Sequence, residues 1–236
     1  MSLGDFVAPL NEVLFQFGQD QVTWAELLGF ATGAVGVWLT VRVNIWNFPV
    51  GLANNLFFLV LFWAARLYAD ASLQVVYLAF GVLGWWQWLY GGTRWTRRRM
   101  GYARAWTVCG LAALVVPVTW LLTVVLTRAH DTAPFWDALT TALSLAAQWL
   151  LNLKQFQNWF FWLAADVIYV PLYFVKTLDL TGIVYVVFLG LCVVGMRGWR
   201  RELRKARGGG GSGAGSVSGV GAEGGVGPQV AGAVGA

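Results

Sequence analysis

The chain has 236 residues, 58% of them hydrophobic and only 11% charged, with a mean hydropathy of +0.62 and a formal net charge of +5. A soluble domain carries about 25% charged residues, so soluble folds are excluded. The apolar excess is also organised. Nearly uncharged runs of roughly 20 residues, the length that crosses a ~30 Å hydrocarbon layer, recur along the chain.

Residues 1–21 come first. Phe6, Leu10, Leu14 and Phe17 share one helical face, with Asp5, Glu12 and Gln16 largely elsewhere, which predicts a short amphipathic helix on the outer membrane surface. A basic n-region is absent, so no cleavable signal peptide is expected. Apolar runs then predict transmembrane helices over 22–43, 48–68, 73–92, 105–127, 135–153, 158–176 and 180–199. The breaks at Asn44–Asn47 and Lys154–Gln157 are short and predict tight hairpins. Gly29, Gly33 and Gly36 on the first helix predict close helix packing. Cys109 and Cys192 lie inside apolar runs and read as small hydrophobes. Residues 208–236 are mostly Gly, Ala, Val and Ser, too poor in bulky apolar groups to order, and are expected to be disordered.

Basic residues set the orientation. With the N-terminus outside, thirteen of the sixteen Lys and Arg residues fall on the cytoplasmic side, among them Arg42, Lys154, Arg200 and the basic loop 93–104. Only Arg66, Arg128 and Lys176 fall outside. The expectation is a multi-pass protein of the bacterial inner membrane with its N-terminus outside and its C-terminus cytoplasmic. The net positive charge is read as a topology signal, with no nucleic-acid partner.

The chain also compares with itself. At an offset of 112, Trp24 meets Trp136, Arg42 meets Lys154 and Asn54 meets Asp166; beyond a gap, Asp70 meets Asp179 and Gly81 meets Gly190 at an offset of 109. Residues 22–92 and 135–200 thus form two three-helix repeats, and 105–127 is an unmatched linker helix that returns the chain to the outer side. The predicted fold class is an all-α membrane protein of two parallel triplets, with substrate binding between the halves.

Asp166 carries the most information. A carboxylate at mid-helix costs about 2.5–3.5 kcal/mol to insert and needs a partner, water or a cationic ligand. Trp159, Trp162 and Asp166 stand at i, i+3 and i+7 on one face. Two indoles over a carboxylate suit a flat cationic ring, by stacking and cation–π attraction. Asn47 and Asn54, with Asn55 adjacent, repeat the spacing in the second helix. Gln87 lies beside Trp88 in the third, and Gln148, Asn152 and Gln155 form an amide face on the fifth. Amides donate and accept, which suits a ligand with hydroxyls and a carboxamide; bonds between helices are their other use. No metal-spaced cluster and no cofactor motif is found.

The stretches NFPVGLANN (47–55), GWWQW (84–88) and WFFWLAAD (159–166) resemble the PnuC family of bacterial vitamin-precursor transporters. That family's WxxWxxx(N/D) motif is matched by Trp159, Trp162 and Asp166. The resemblance covers about residues 20–205. It implies a SWEET-like 3+1+3 fold, a homotrimer, and facilitated diffusion of nicotinamide riboside, trapped by cytoplasmic phosphorylation without ATP or ion coupling. Asp rather than the commoner Asn strengthens the preference for a cation and keeps thiamine as an alternative substrate. A proton-coupled carrier is a second alternative. A membrane enzyme is a remote one, because Asp166 has no titratable neighbour in the sequence. A retinal protein would need a Lys in the seventh helix, and 180–196 has none.

Overall fold

The computed structural model describes residues 8–17, 20–64, 68–129, 132–176 and 178–208. Residues 209–236, which make up all but the first residue of the expected disordered tail, the outer-loop residues His130 and Asp131, and residues 1–7 lie outside them.

Seven helices follow one another: α1 (Trp24–Val41), α2 (Asn47–Ala64), α3 (Tyr68–Tyr90), α4 (Ala105–Arg128), α5 (Pro134–Asn152), α6 (Asn158–Val175) and α7 (Asp179–Gly208). A capping box starts α1: the Thr23 hydroxyl accepts from the Glu26 N–H, and the Glu26 carboxylate accepts from the Thr23 N–H at 3.0 Å. Pro134 opens α5, where its missing N–H costs nothing. α7 runs well past the expected end at 199. Trp199 and Leu203, one turn apart, keep one face of its basic extension buried.

The N-terminal helix expected on the membrane surface is not formed. Ala8–Asn11 is a 3-10 turn, and β1 (Val13–Phe17) pairs antiparallel with β2 (Asp20–Thr23). Pro9 and Gly18 interrupt any helix here, and Val-Leu-Phe-Gln-Phe is a better strand than helix.

α1, α2, α4, α6 and α7 are long and apolar enough to span a membrane. α3 and α5 are more polar, and they pack on each other. α5 buries Thr140, Ser144 and Asn152 against protein rather than lipid. The full packing scheme closes a ring in the order α1, α2, α3, α5, α6, α7, with α7 back on α1, while α4 lies outside against α5. Exchanging α1, α2, α3 with α5, α6, α7 maps every seam of that ring onto another.

The correspondence holds residue by residue at a single offset. Asn47 and Asn158 begin α2 and α6, and Ala64 and Val175 end them, each pair 111 residues apart. The two hairpins share their backbone bonds. Asn44 N–H donates to Leu39 O and Gln155 N–H to Leu150 O, both at 2.9 Å. Val43 N–H donates to Thr40 O and Lys154 N–H to Leu151 O, at 3.0 and 2.8 Å. These are Schellman motifs with Val43 and Lys154 at positive φ (55° and 53°) where glycine is usual. An offset of 111 therefore replaces the 112 and 109 read from the sequence. Asp166 faces Asn55 rather than Asn54 as its counterpart, and Lys154 is matched by Val43 rather than Arg42.

Candidate functional site

α1, α3, α5 and α7 all end on one side of the ring, the basic end, and there the ring is filled by an aromatic plug. Phe48 meets Trp88 edge-on at 5.1 Å, and their counterparts Trp159 and Trp199 do the same at 5.6 Å. Gly84 and Gly195, again counterparts, make room: a Cβ at Gly84 would strike Phe48 and Asn152, and one at Gly195 would strike the Trp159 ring. Each terminal indole crosses to the other triplet. Trp88 Nε1 donates to Leu151 O at 2.9 Å, and Trp199 Nε1 donates to Thr40 O at 3.1 Å. Trp88 and Trp199 lie 6.4 Å apart, at the point where the halves meet.

Further from the basic end sits Asp166, only 3% exposed. Cys192 donates its thiol to the Asp166 carboxylate at 3.2 Å. Among the described residues no Lys or Arg pairs with it. A weak thiol donor is a poor substitute for the hydration that a carboxylate loses on burial.

Around Asp166 the halves stop matching in chemistry while still matching in shape. Tyr169 stacks on Tyr173 at 5.5 Å and 21°, and Phe58 stacks on Phe62 at the same distance and angle. Thr140 and Ser144 on α5 stand where α1 has Gly29 and Gly33. Tyr77 lies beside Ser144, and Tyr169 beside Thr140 and Ser144. Tyr185 of α7 closes the cluster, 4.5 Å from Tyr169 and 5.0 Å from Tyr173. Tyr77, Tyr169, Tyr173 and Tyr185 are each half-buried, so the hydroxyl-bearing cluster is neither fully packed away nor fully exposed. One side of the ring thus offers hydroxyls and a carboxylate, and the other offers phenyl rings. A salt bridge between Lys176 Nζ and Asp137 Oδ2, 2.7 Å, ties α6 to α5 at the far end.

The residues expected from sequence fall into three groups. Asp166 is buried beside the tyrosine cluster. Trp159 is 1% exposed and belongs to the plug, while Trp162 is half-buried where the plug meets the packing of α4 on α5. The two indoles therefore do not open together onto one space. The amides mostly join helices. Asn54 donates to Gly29 O and to Thr32 Oγ1 on α1 at 3.0 and 2.6 Å. Asn47 donates to Thr40 Oγ1, Gln148 to Asn152 Oδ1, and Asn152 to Phe80 O on α3. Gln87 accepts from Arg98 Nη1 at 2.9 Å. Trp88 is in the plug, and Gln155 sits in the α5–α6 hairpin with its Oε1 buried and unpartnered.

Sequence reasoning passed over Tyr77, Tyr169, Tyr173 and Tyr185. A signal was present: Asp166, Tyr169 and Tyr173 continue one helix face at i, i+3 and i+7.

A closed ring of helices, most of them long and apolar enough to span a membrane, with a buried carboxylate and a hydroxyl cluster behind an aromatic plug, is the architecture of a membrane transport protein. Residues 23–201 match the family described as nicotinamide mononucleotide transporter, and the chain belongs to this family, that of the PnuC transporters. It is 27% identical over 202 residues to the riboflavin/roseoflavin transporter RibM of Streptomyces davaonensis, covering 83% of this chain and 93% of RibM. It is likewise 27% identical over 216 residues to the nicotinamide riboside transporter PnuC of Escherichia coli, covering 80% of this chain and 90% of that protein. Its fold resembles the crystal structure of the vitamin B3 transporter PnuC, with a TM-score of 0.60 at 20% identity over 77% of this chain and 83% of that one.

Proposed function

We propose that this protein takes up nicotinamide riboside across the bacterial inner membrane by facilitated diffusion, with cytoplasmic phosphorylation trapping the product. The observation that carries the reading is Asp166: a buried carboxylate whose one hydrogen-bond donor among the described residues is a thiol, set beside a cluster of hydroxyl-bearing side chains. A pyridinium ring supplies the missing positive charge, and ribose hydroxyls and a carboxamide match Tyr77, Tyr169, Tyr173, Thr140 and Ser144. Thiamine brings the charge but a single hydroxyl. Riboflavin, the cargo named for RibM, is a second reading supported by that relative, yet it is neutral and leaves the carboxylate unanswered. The chain is read as a SWEET-like 3+1+3 carrier and a homotrimer, with α3 and α5 crossing the membrane inside the protein. The paired seams of the ring support that arrangement.

The direct test is calorimetric titration of the purified protein with nicotinamide riboside, thiamine and riboflavin. Saturable binding of the riboside, tighter than the other two, is expected; preference for riboflavin would overturn the assignment. A protonophore should leave uptake into proteoliposomes unchanged, which separates a uniporter from a proton-coupled carrier. Reporters fused after Arg207 or within Arg94–Arg104 should read cytoplasmic, and one near Asp131 periplasmic.

Trp162 is proposed to present its ring to the substrate. Trp162→Ala should weaken riboside binding by roughly 1–3 kcal/mol through lost stacking, and Trp162→Phe by less because a π-face remains. Equal loss of folded protein in both variants would assign Trp162 to packing.

A further inference from the structure

At the basic end, outside the plug, a pocket of about 300 Å³ is lined by Arg42, Asn44, Trp88, Arg97 and Lys154 among others, and no carboxylate lines it. We propose that this pocket binds a phosphate group, as a monoester or diester, at the mouth of the transport path.

Three cations converge there, and like charges brought together need an offsetting partner. The negative ends of α1, α3 and α5 lie nearby and could be that partner. Arg98 already serves the ends of α3 and α5. It donates from Nε to Leu153 O at 2.9 Å and from Nη1 to Gly91 O and Gln87 Oε1, which leaves Arg42, Arg97 and Lys154 for something else. Lys154 Nζ lies 4.3 Å from the centre of the Trp88 ring, and Arg42 sits over Trp38. These contacts place the charged groups themselves against ring faces, which offset part of their charge and fix their position without using their N–H donors in conventional hydrogen bonds. Burial, and next the neighbouring Arg97, hold the Lys154 ammonium below the usual lysine range; the charge of a bound anion would offset that shift. The backbone adds to the placement. Lys154 takes positive φ at the turn of the α5–α6 hairpin, and loop residue Gly101 pins that turn by donating to Lys154 O and accepting from Phe156 N–H.

A phosphate monoester fits better than a carboxylate because it brings close to two negative charges and three non-bridging oxygens to three cations, and a diester brings two such oxygens in a tetrahedral arrangement. The group could belong to a soluble phosphate monoester or to an acidic lipid headgroup. Full-length protein in phosphatidylcholine nanodiscs, in phosphate-free buffer, should bind glycerol 3-phosphate saturably by calorimetry. Lys154→Gln and Arg97→Gln should each weaken that binding by about tenfold or more, the value of one charge-assisted bond. Arg201→Gln, an exposed change on α7 away from the pocket, should leave it unaltered. Arg97 lies in an exposed loop, so its variant keeps the test valid if Lys154→Gln fails to fold. In phosphatidylglycerol nanodiscs, loss of glycerol 3-phosphate binding would identify the headgroup as occupant, and retention would identify the soluble ester. Either result supports the site. Absence of saturable binding in phosphatidylcholine nanodiscs, or equal weakening by all three variants, would overturn it.

Discussion

Asp166→Asn should cut affinity for nicotinamide riboside by about tenfold to a hundredfold, the value of a charge-assisted contact in a partly dry site. The amide keeps the shape of the carboxylate and can still accept from Cys192, so the fold should persist. Neutral nicotinamide should bind the native protein weakly and respond little to the change. Some transport should survive, since loss of charge weakens the ligand without removing a necessary step. Complete loss of uptake with affinity intact would instead make Asp166 an obligatory proton carrier. Unchanged affinity for the cation would mean that the carboxylate does not face the substrate.

A comparably large effect is expected from one methyl group in the plug. In Gly195→Ala the new Cβ enters the space held by the Trp159 ring. Trp159 has nowhere to retreat, being packed against Trp199 at 5.6 Å and 1% exposed. Overpacking of this kind costs roughly 1–3 kcal/mol and should lower the melting temperature in detergent clearly. Gly190→Ala supplies the contrast. Nothing lies within 4 Å of its Cβ position, so that substitution should be neutral or stabilising by up to about 1 kcal/mol through helix propensity. Equal melting temperatures for the two variants would show that the plug is looser than its geometry indicates.

Hydropathy made the seven helices legible because water and lipid impose a strong, local requirement on every turn of a span. The short hairpins were legible for the same reason. Their register was not. Arg42 and Lys154 look like partners in the sequence, but the Schellman hydrogen bonds pair Lys154 with Val43, and backbone bonds leave no trace in side-chain identity. The N-terminal hairpin was misread because Phe6, Leu10, Leu14 and Phe17 satisfy a helical period, while the strand signal in Val13–Phe17 is only five residues long. Asp166 stood out by its charge. The tyrosines near it did not, because a Tyr in an apolar helix can equally be an interfacial residue. Only the packed ring turns Phe58 and Tyr169 into counterparts and lets their difference be seen. Trp159 shows the reverse: its motif drew it into the site, yet Gly195 provides a socket that holds it in the plug.

The crossed indoles latch the two halves together twice. Trp88 grips a carbonyl of the second half while Trp199 grips the matching carbonyl of the first, and the two rings rest near each other. Swinging one half aside breaks both bonds in a single movement, since each spans a seam that the same rotation opens. Small fluctuations of one helix release only one grip and are recaptured by the other. Separation of the halves at this seam should therefore be close to all-or-none, and whatever drives it has to offset both bonds together.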